Sequence, residues 1–455
     1  MFTELEFHNF KSWVDVPKMR MAPITGLFGP NSSGKTSVVQ LLLLLKQTVE
    51  STDRAQILNF GDDRSPANLG SFRDVIFSHQ TERPLEFRVA WRTEDPVRIV
   101  DPEGRRGDVL FTGRDLEFRS SIRARDISEL AVDDLSYSLG GNAFRLKQNT
   151  SKPTNFDLSA TAGEFKFKRT LGRKWPLPAP LKFYGFPDQV RAYFQNASFL
   201  SDLELEFESL FGATYYLGPL REYPQRQYTW AGGEPRDVGP RGDRVVDALL
   251  ASRSRGASNS RGYRRKRITV EEHVALWLRE LRLIHDFKVE PIGDNSNLFR
   301  VRVQSTSTTA PVLITDVGFG VSQILPVLAL CFYVPQGSTV ILEQPEIHLH
   351  PAVQAGLADV LIEAAQARNV QIIVESHSEH LLMRLQRRVA EGALGPDQLA
   401  LYFVHHAGDH STLTPLDIDL WGDIRNWPDD FFGDALGEVT ARAIASAKRK
   451  KAADE

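Results

Sequence analysis

Cysteine is almost absent from this chain: Cys331 stands alone among 455 residues. That excludes an internal disulfide framework and any zinc site built on several cysteines, and it fits a reducing cytoplasm as the expected location. A long apolar run is missing as well. The most hydrophobic stretch, "VVQLLLLL" from Val38 to Leu45, falls far short of the roughly 20 residues that cross a bilayer. No membrane partner is therefore expected. Nor does one sign of charge dominate, since 55 basic and 58 acidic side chains leave a net charge of −3. Any contact with nucleic acid must come from a local patch. The opening "MFTELEFHNFKSW" lacks the basic flank and apolar core of a secretion signal and is expected in the mature protein. Internal repeats and long heptad stretches are also lacking.

What is present alternates between two textures. "ELEFHNF" (Glu4–Phe10) and the more apolar "APITGLFG" (Ala22–Gly29) read as strands, and Lys35 to Val49 reads as a helix whose leucines cover every face, hence a buried one. From about Arg83 to Thr170 the chain shifts to short alternating runs, "PLEFRVAW", "DVLFTG", "DLEFRSSIRA" and "GEFKFKRT", divided by turn residues. This predicts an inserted antiparallel β region built from hairpins. Ala197–Gly212 returns to helix, "ATYYLGPLREYP" reads as a strand ending in a turn, and Val270–Ile284 as an amphipathic helix. Beyond Ala310 the α/β texture resumes, followed by the strand "LALYFVHH" and a basic end at Lys448–Lys451. The expected divisions are 1–82, 83–212, 213–400 and 401–455.

One segment is markedly basic. "SRSRGASNSRGYRRKR", Ser252 to Arg267, carries seven basic residues and no acid. It reads either as a solvated loop or as a phosphate-contacting loop in which Arg261, Arg264, Arg265, Lys266 and Arg267 meet nucleic acid, with Tyr263 as a stacking surface.

The chemistry is concentrated in four motifs. "GPNSSGKT", Gly29 to Thr36, lies between an apolar strand and a helix. Gly29 and Gly34 let the backbone of Asn31, Ser32 and Ser33 curl its N–H groups toward phosphate. Lys35 supplies a point charge, Thr36 a hydroxyl for Mg²⁺, and Ser37 continues the helix N-terminus. ATP and Mg²⁺ are the expected cofactors. "STVILEQPE" is a strand ending in Glu343, placed to hold the metal from beside the phosphate loop. "VQIIVESHS" ends near His377, which could serve a γ-phosphate as donor or proton relay. "TDVGFGVSQ" sets Gly318, Gly320, Ser322 and Gln323 at the start of an apolar helix, a second phosphate-binding surface without a lysine, suited to a phosphate held by another subunit.

In this order the motifs resemble those of the ABC/SMC superfamily of ATPases, specifically its OLD-like, defence-associated bacterial branch. The resemblance rests on "NFKSW", "YYLGPLRE" with Arg221, "GFGVSQ", "EQPEIHLHP" and "ESHSEHLL", and covers both ends of the chain. It implies an α/β fold: a P-loop, ABC-type ATPase head with the β region and a helical subdomain inserted. It further implies Lys11 near the nucleotide, Gln80 as a weak glutamine-loop and metal candidate, and a homodimer or higher homo-oligomer that sandwiches ATP. Gly320 stands where the signature serine is usual. Gln344 falls at the general-base position, where an amide can orient water but cannot take a proton. Glu346 and His377 are then the assisting candidates, with Glu375 next.

The four His residues His348, His350, His377 and His380 read as packing rather than a zinc site. OLD-like proteins often carry a fused nuclease, but the stretch after His377 is too short for one, and "DIDL" at Asp417 is a weak metal candidate. The expected function is a slow ATPase whose assembly regulates a separate effector, a nuclease or toxin, in anti-phage defence. A DNA-repair ATPase clamping DNA and an ATP-stabilised scaffold with little turnover are the alternatives.

Overall fold

The protein is described by a computed structural model covering residues 1–428, apart from 101–107, 127–128, 164, 173, 260–266 and 295. Arg261, Arg264, Arg265 and Lys266 of the basic segment, and the basic end at 448–451, lie outside the described residues. The earlier part of that segment is not loop, because Ser252 to Ser254 finish a helix, Val245–Ser254.

A six-stranded sheet organises the α/β half. Its order is His410–Pro415, Leu399–Ala407, Ile24–Phe28, Gln371–Glu375, Thr339–Glu343 and Thr214–Leu217, parallel except for the hairpin strand His410–Pro415. The three central strands are buried on both faces, as their unbroken apolar runs require. Side chains along a strand point alternately to opposite faces. Ile341 and Ile373 accordingly join one hydrophobic core, while their neighbours Val340, Leu342, Ile372 and Val374 join another. The second core is closed by the helices Phe319–Tyr333, Pro351–Arg368 and Glu379–Ala390.

The first core is shared with a second sheet. Seven antiparallel strands run in the order Trp13–Arg20, Phe2–Phe10, Leu85–Val100, Val109–Ala124, Leu130–Leu139, Asn142–Gln148 and Phe156–Thr161. The hairpins expected from the sequence are present. The N-terminal strands, however, pair with them rather than with the parallel sheet, so the expected division at residue 82 cuts through one continuous sheet. "GEFKFKRT" is not a strand of it. There Phe165 and Phe167 turn into an aromatic cluster with Phe144 and Phe199, and Arg169 makes only a single bridge to Phe194. Side-chain packing overrides the alternating pattern.

The helix Lys35–Glu50 lies within that first core, together with Phe7, Phe10 and Trp13 of the antiparallel sheet and Ile341 and Ile373 of the parallel one. A helix enclosed on all sides must be apolar all round, which accounts for the leucine run. Leu42 is fully buried there. Leu42→Ala should lower the unfolding free energy by about 2–5 kcal/mol through lost burial and the cavity left behind, measured by urea denaturation; a change within experimental error would contradict this packing.

Candidate functional site

The phosphate loop leaves the C-terminal end of Ile24–Phe28 and enters the helix Lys35–Glu50. Its glycines answer to geometry. Gly29 has φ +141, and a Cβ there would fall 2.1 Å from the Val404 carbonyl oxygen; at Gly34, with φ +105, it would meet the Ser411 hydroxyl at 2.4 Å. No side chain fits either place. Ser32 is left-handed as well, with φ 61. Asn31 and Ser32 are exposed, whereas Ser33 and Ser37 are buried. The loop is braced from outside: the Trp13 indole N–H donates to the Gly34 carbonyl at 3.0 Å, and a His406 ring nitrogen lies 2.7 Å from the Ser32 carbonyl oxygen. Ser12 and Ser411 join by hydroxyl and backbone against Gly34. Lys11 thus sits in the turn that supports the loop, half-buried, with burial lowering its ammonium pKa.

Lys35 is buried, and its ammonium donates to the carbonyls of Gly29 at 3.0 Å and Pro30 at 2.6 Å. Burial lowers its pKa, while the carboxylates of Glu375 and Glu346 act the other way. Those carboxylates belong to one cluster. Parallel pairing places Glu343 and Glu375 abreast at the ends of their strands. Tyr216 donates its hydroxyl to Glu343 at 3.1 Å, and Arg221 reaches the Glu343 carbonyl at 3.5 Å. Thr36 donates its hydroxyl not to Glu343 but to Glu375, at 2.9 Å. Glu346 accepts the backbone N–H of His377 at 2.6 Å. Burial pushes all three carboxyls up, Glu343 to about 7 with help from the Glu375 charge. The second oxygens of Glu346 and Glu375 and one terminal nitrogen of Arg221 are buried without a hydrogen-bond partner. His377 is half-buried beside Gly29, its pKa lowered by burial and by Lys35.

Other expected residues fall into place less uniformly. Gln344 is in the left-handed region, with φ 43, and its N–H donates to the Glu375 carbonyl at 2.8 Å. Such a backbone position is costly for a residue with a side chain and needs surrounding structure to hold it. Gly318 and Phe319 are exposed at the start of their helix. Ser322 instead donates to the Phe319 carbonyl at 2.7 Å, and Gln323 is buried. The outward part of this turn is therefore Gly318 to Gly320, backed by His348 and Leu349. Phe319 stacks edgewise on His348, 5.2 Å between centroids, and lies 5.5 Å from Tyr223. No hydrogen bond joins Gln80 to Thr36 or Glu343; its N–H closes a short turn on Phe77. His350 caps the helix Pro351–Arg368 through Ala352 N–H, and Asp419 holds a turn through the N–H groups of Trp421 and Asp423. Arg267 is occupied with Ser258. Among the described residues no three His, Cys, Asp or Glu side chains are gathered to hold a metal ion by themselves.

The Trp13, His406 and Tyr216 contacts were not foreseen, since each links residues far apart in the chain. For Glu375 a signal existed: it ends its strand in the same position as Glu343 ends the neighbouring one.

Residues 24–384 match the family model described as "AAA domain, putative AbiEii toxin, Type IV TA system", and residues 394–441 match one described as a protein of unknown function. No curated protein matches the chain. Among solved structures, the SMC head bound to the C-winged helix domain of ScpA is similar at 11% identity, covering 92% of this chain and 98% of that one, with a TM-score of 0.47. The SMC head domain from Thermotoga maritima gives 11% identity, 92% and 99% coverage and a TM-score of 0.41. For the Smc head with an extended coiled coil bound to the C-terminal domain of ScpA, derived from Pyrococcus furiosus, the values are 13%, 91%, 96% and 0.43.

The raised Glu343 pKa has a measurable consequence. Folded, this carboxyl keeps its proton up to about pH 7, whereas its ordinary value is 4.5. Between those values the folded state binds the extra proton, so stability falls as pH rises through the window. Glu343→Gln keeps an acceptor for Tyr216 and removes the charge. In chelator without nucleotide it should raise stability at pH 8 by about 1–3 kcal/mol and change it little at pH 4.5. Equal effects at both pH values in urea titrations would refute the burial argument.

Proposed function

The chain belongs to the AAA-domain family whose model spans residues 24–384, and from that premise we propose that it is an ATP-binding, slowly hydrolysing ATPase of the ABC/SMC type. Its ATP-dependent assembly would regulate a separate effector in bacterial defence. The observation that carries the reading is the phosphate loop with Lys35 and Thr36 set against three buried carboxylates, while the neutral Gln344 stands beside Glu343. The donor set suits Mg²⁺: the Thr36 hydroxyl and an unpartnered, buried carboxylate oxygen are hard oxygen ligands, and a nucleotide's phosphates and water would complete the shell. Bound there, the ion would neutralise charge building on the phosphates.

The residues divide the remaining work. Backbone N–H groups of Asn31 to Thr36 and the Lys35 charge bind and orient phosphate. His377, neutral by virtue of its lowered pKa, can donate or accept a proton next to Gly29. Gln344 can orient water through its carbonyl, as the glutamine of small GTPases does, but cannot take the proton. Glu346, buried with one oxygen free, is the nearby acceptor. A general base removed from its usual place accounts for slow turnover and a long-lived ATP-bound state.

Assembly is supported by the face around the signature turn. Tyr223, 74% exposed, packs on Phe319, which in turn meets His348, so exposed rings surround the turn Gly318–Gly320. We infer a head-to-head homodimer in which Gly318–Gly320 of one copy closes on the nucleotide of the other. The OLD-like resemblance supports an effector partner, toxin or nuclease, and the family description, which reads "putative AbiEii toxin, Type IV TA system", supports a toxin–antitoxin setting.

Gln344→Glu should raise steady-state ATP turnover at least about tenfold, about 1.4 kcal/mol of barrier, while Glu346→Gln lowers it and Lys35→Ala abolishes ATP-dependent dimerisation seen by light scattering. Turnover unchanged in both Gln344→Glu and Glu346→Gln would remove this assignment.

A further inference from the structure

We propose that the cavity between the two sheets, at the edge remote from the phosphate loop, binds a primary ammonium carried on an apolar stem. The parallel strands Ile24–Phe28, Thr339–Glu343 and Gln371–Glu375 start at this edge and deliver the phosphate loop and the carboxylate cluster at the other. The two sites are therefore separate. The cavity holds about 630 Å³, within the range of roughly 300–1,000 Å³ usual for small-ligand sites. Phe2, Met21, Pro23, Trp91 and Leu210 give it an apolar wall. Gln371 fixes the floor: its amide oxygen accepts the Phe2 N–H at 2.9 Å and the Thr339 hydroxyl at 3.1 Å, and its nitrogen donates to the Phe2 and Ala22 carbonyls at 2.7 and 3.1 Å. A fully bonded side chain thus joins the two sheets, and the cavity is preformed.

The rim is acidic for a structural reason. Where the strand Leu85–Val100 pairs with Val109–Ala124, the register breaks between Arg92 and Val97. The Thr93 hydroxyl holds the interrupted stretch by donating to the Asp95 carbonyl at 2.7 Å. Such interruptions re-aim side chains, and this one sets Glu94 and Asp95 on the cavity rim. Glu206 joins them from the helix Leu200–Gly212, on the face it shares with Ser209 and Leu210. Among the described residues, none of these three carboxylates has a hydrogen-bond or ion-pair partner. The cations nearby are engaged elsewhere: Arg92 donates to Asp115 at 2.7 Å, and the Met1 ammonium to the Arg92 carbonyl at 2.9 Å. Burial raises the Glu206 carboxyl pKa, and the Asp202 charge adds to it, so the charged form lacks compensation.

Trp91 supplies an independent sign of a ligand. It is 2% exposed and lines the cavity, yet its indole N–H has no hydrogen-bond partner, whereas a buried Trp N–H normally finds one. The wall lacks an acceptor and the rim lacks a cation. An ammonium has three N–H donors and no acceptor, which suits a rim made of acceptors. The methylenes of its stem would cover the apolar wall, and an oxygen at the far end would serve the indole. A free alkylamine has this chemistry, and so do the lysines of the chain's own basic end, Lys448–Lys451, which lies outside the described residues.

Fluorescence anisotropy of the full chain with dansylcadaverine, an ammonium on an alkyl stem, tests the site against dansyl pentylamide, the same probe without the charge. The charged probe should bind at least about tenfold more tightly, because hydrogen bonds between charged groups are the strong ones. Glu94→Gln, Asp95→Asn and Glu206→Gln combined should remove that advantage and leave the neutral probe's affinity unchanged. Trp91→Phe keeps a ring in the core and should weaken both probes at least about threefold. Should it fail to fold, the rim variant decides. Equal affinity of the two probes for the wild type, an advantage that survives the rim variant, or a folded Trp91→Phe that binds both probes as the wild type does would each overturn the proposal. Lys448→Gln, Arg449→Gln, Lys450→Gln and Lys451→Gln combined identify the source of the ammonium. Charged-probe binding at least about threefold tighter than to the wild type assigns the site to the chain's own end, and unchanged binding assigns it to a free amine. Either result supports the site; no binding to either protein overturns it.

Discussion

In-register pairing between two parallel strands, Thr339–Glu343 and Gln371–Glu375, is the constraint on which the rest of the site depends. Parallel strands end together, so their last residues must face the same edge of the sheet. Because each ends in a glutamate, two carboxylates are forced side by side in a buried place. Such proximity is unfavourable unless protons, cations or hydrogen-bond donors relieve it. Tyr216 relieves one, Thr36 the other, and Lys35 lies close enough to stabilise Glu375 and Glu346 in their charged form. The phosphate loop can be understood as a donor-rich lid on an acid-rich sheet edge.

The same pairing dictates the awkward backbone of Gln344. Its N–H is spent on the Glu375 carbonyl as the last rung of the ladder, and the chain must then turn sharply so that Glu346 can reach the backbone of His377. A left-handed residue at that corner is the result. The neutral side chain there adds no further charge to the three acids already collected.

Much of this was legible in the residues and some was not. The phosphate loop could be read because its steric demands leave few alternatives: two positions admit only glycine, and the Lys and Thr follow at fixed spacing on a helix start. The apolar strands and the enclosed leucine helix could be read from the length of their unbroken apolar runs and the turn residues that bound them. Partners could not. Antiparallel pairing is non-local, so nothing in "ELEFHNF" shows that it joins residues 85–100 rather than the sheet beside the phosphate loop. The bond between Thr36 and Glu375 links residues 339 positions apart, and an inward turn of Phe165 and Phe167 depends on aromatic neighbours from four other segments. In the helix Phe319–Tyr333 Ser322 and Gln323 turn inward, which the residues do not reveal, because a helix of almost wholly apolar composition gives no clue to which polar residue faces out.

Trp13 ties these levels together. It closes the N-terminal hairpin of the antiparallel sheet, and its indole N–H grips Gly34 at the root of the phosphate loop. The seven-stranded sheet is thus joined to the phosphate loop by this bond, by the Ser12–Ser411 contact against Gly34 and by the core it shares with the helix Lys35–Glu50. Trp13 cannot shift without giving up its bond to the Gly34 carbonyl, so the packing of the N-terminal hairpin and the shape of the phosphate loop are one constraint.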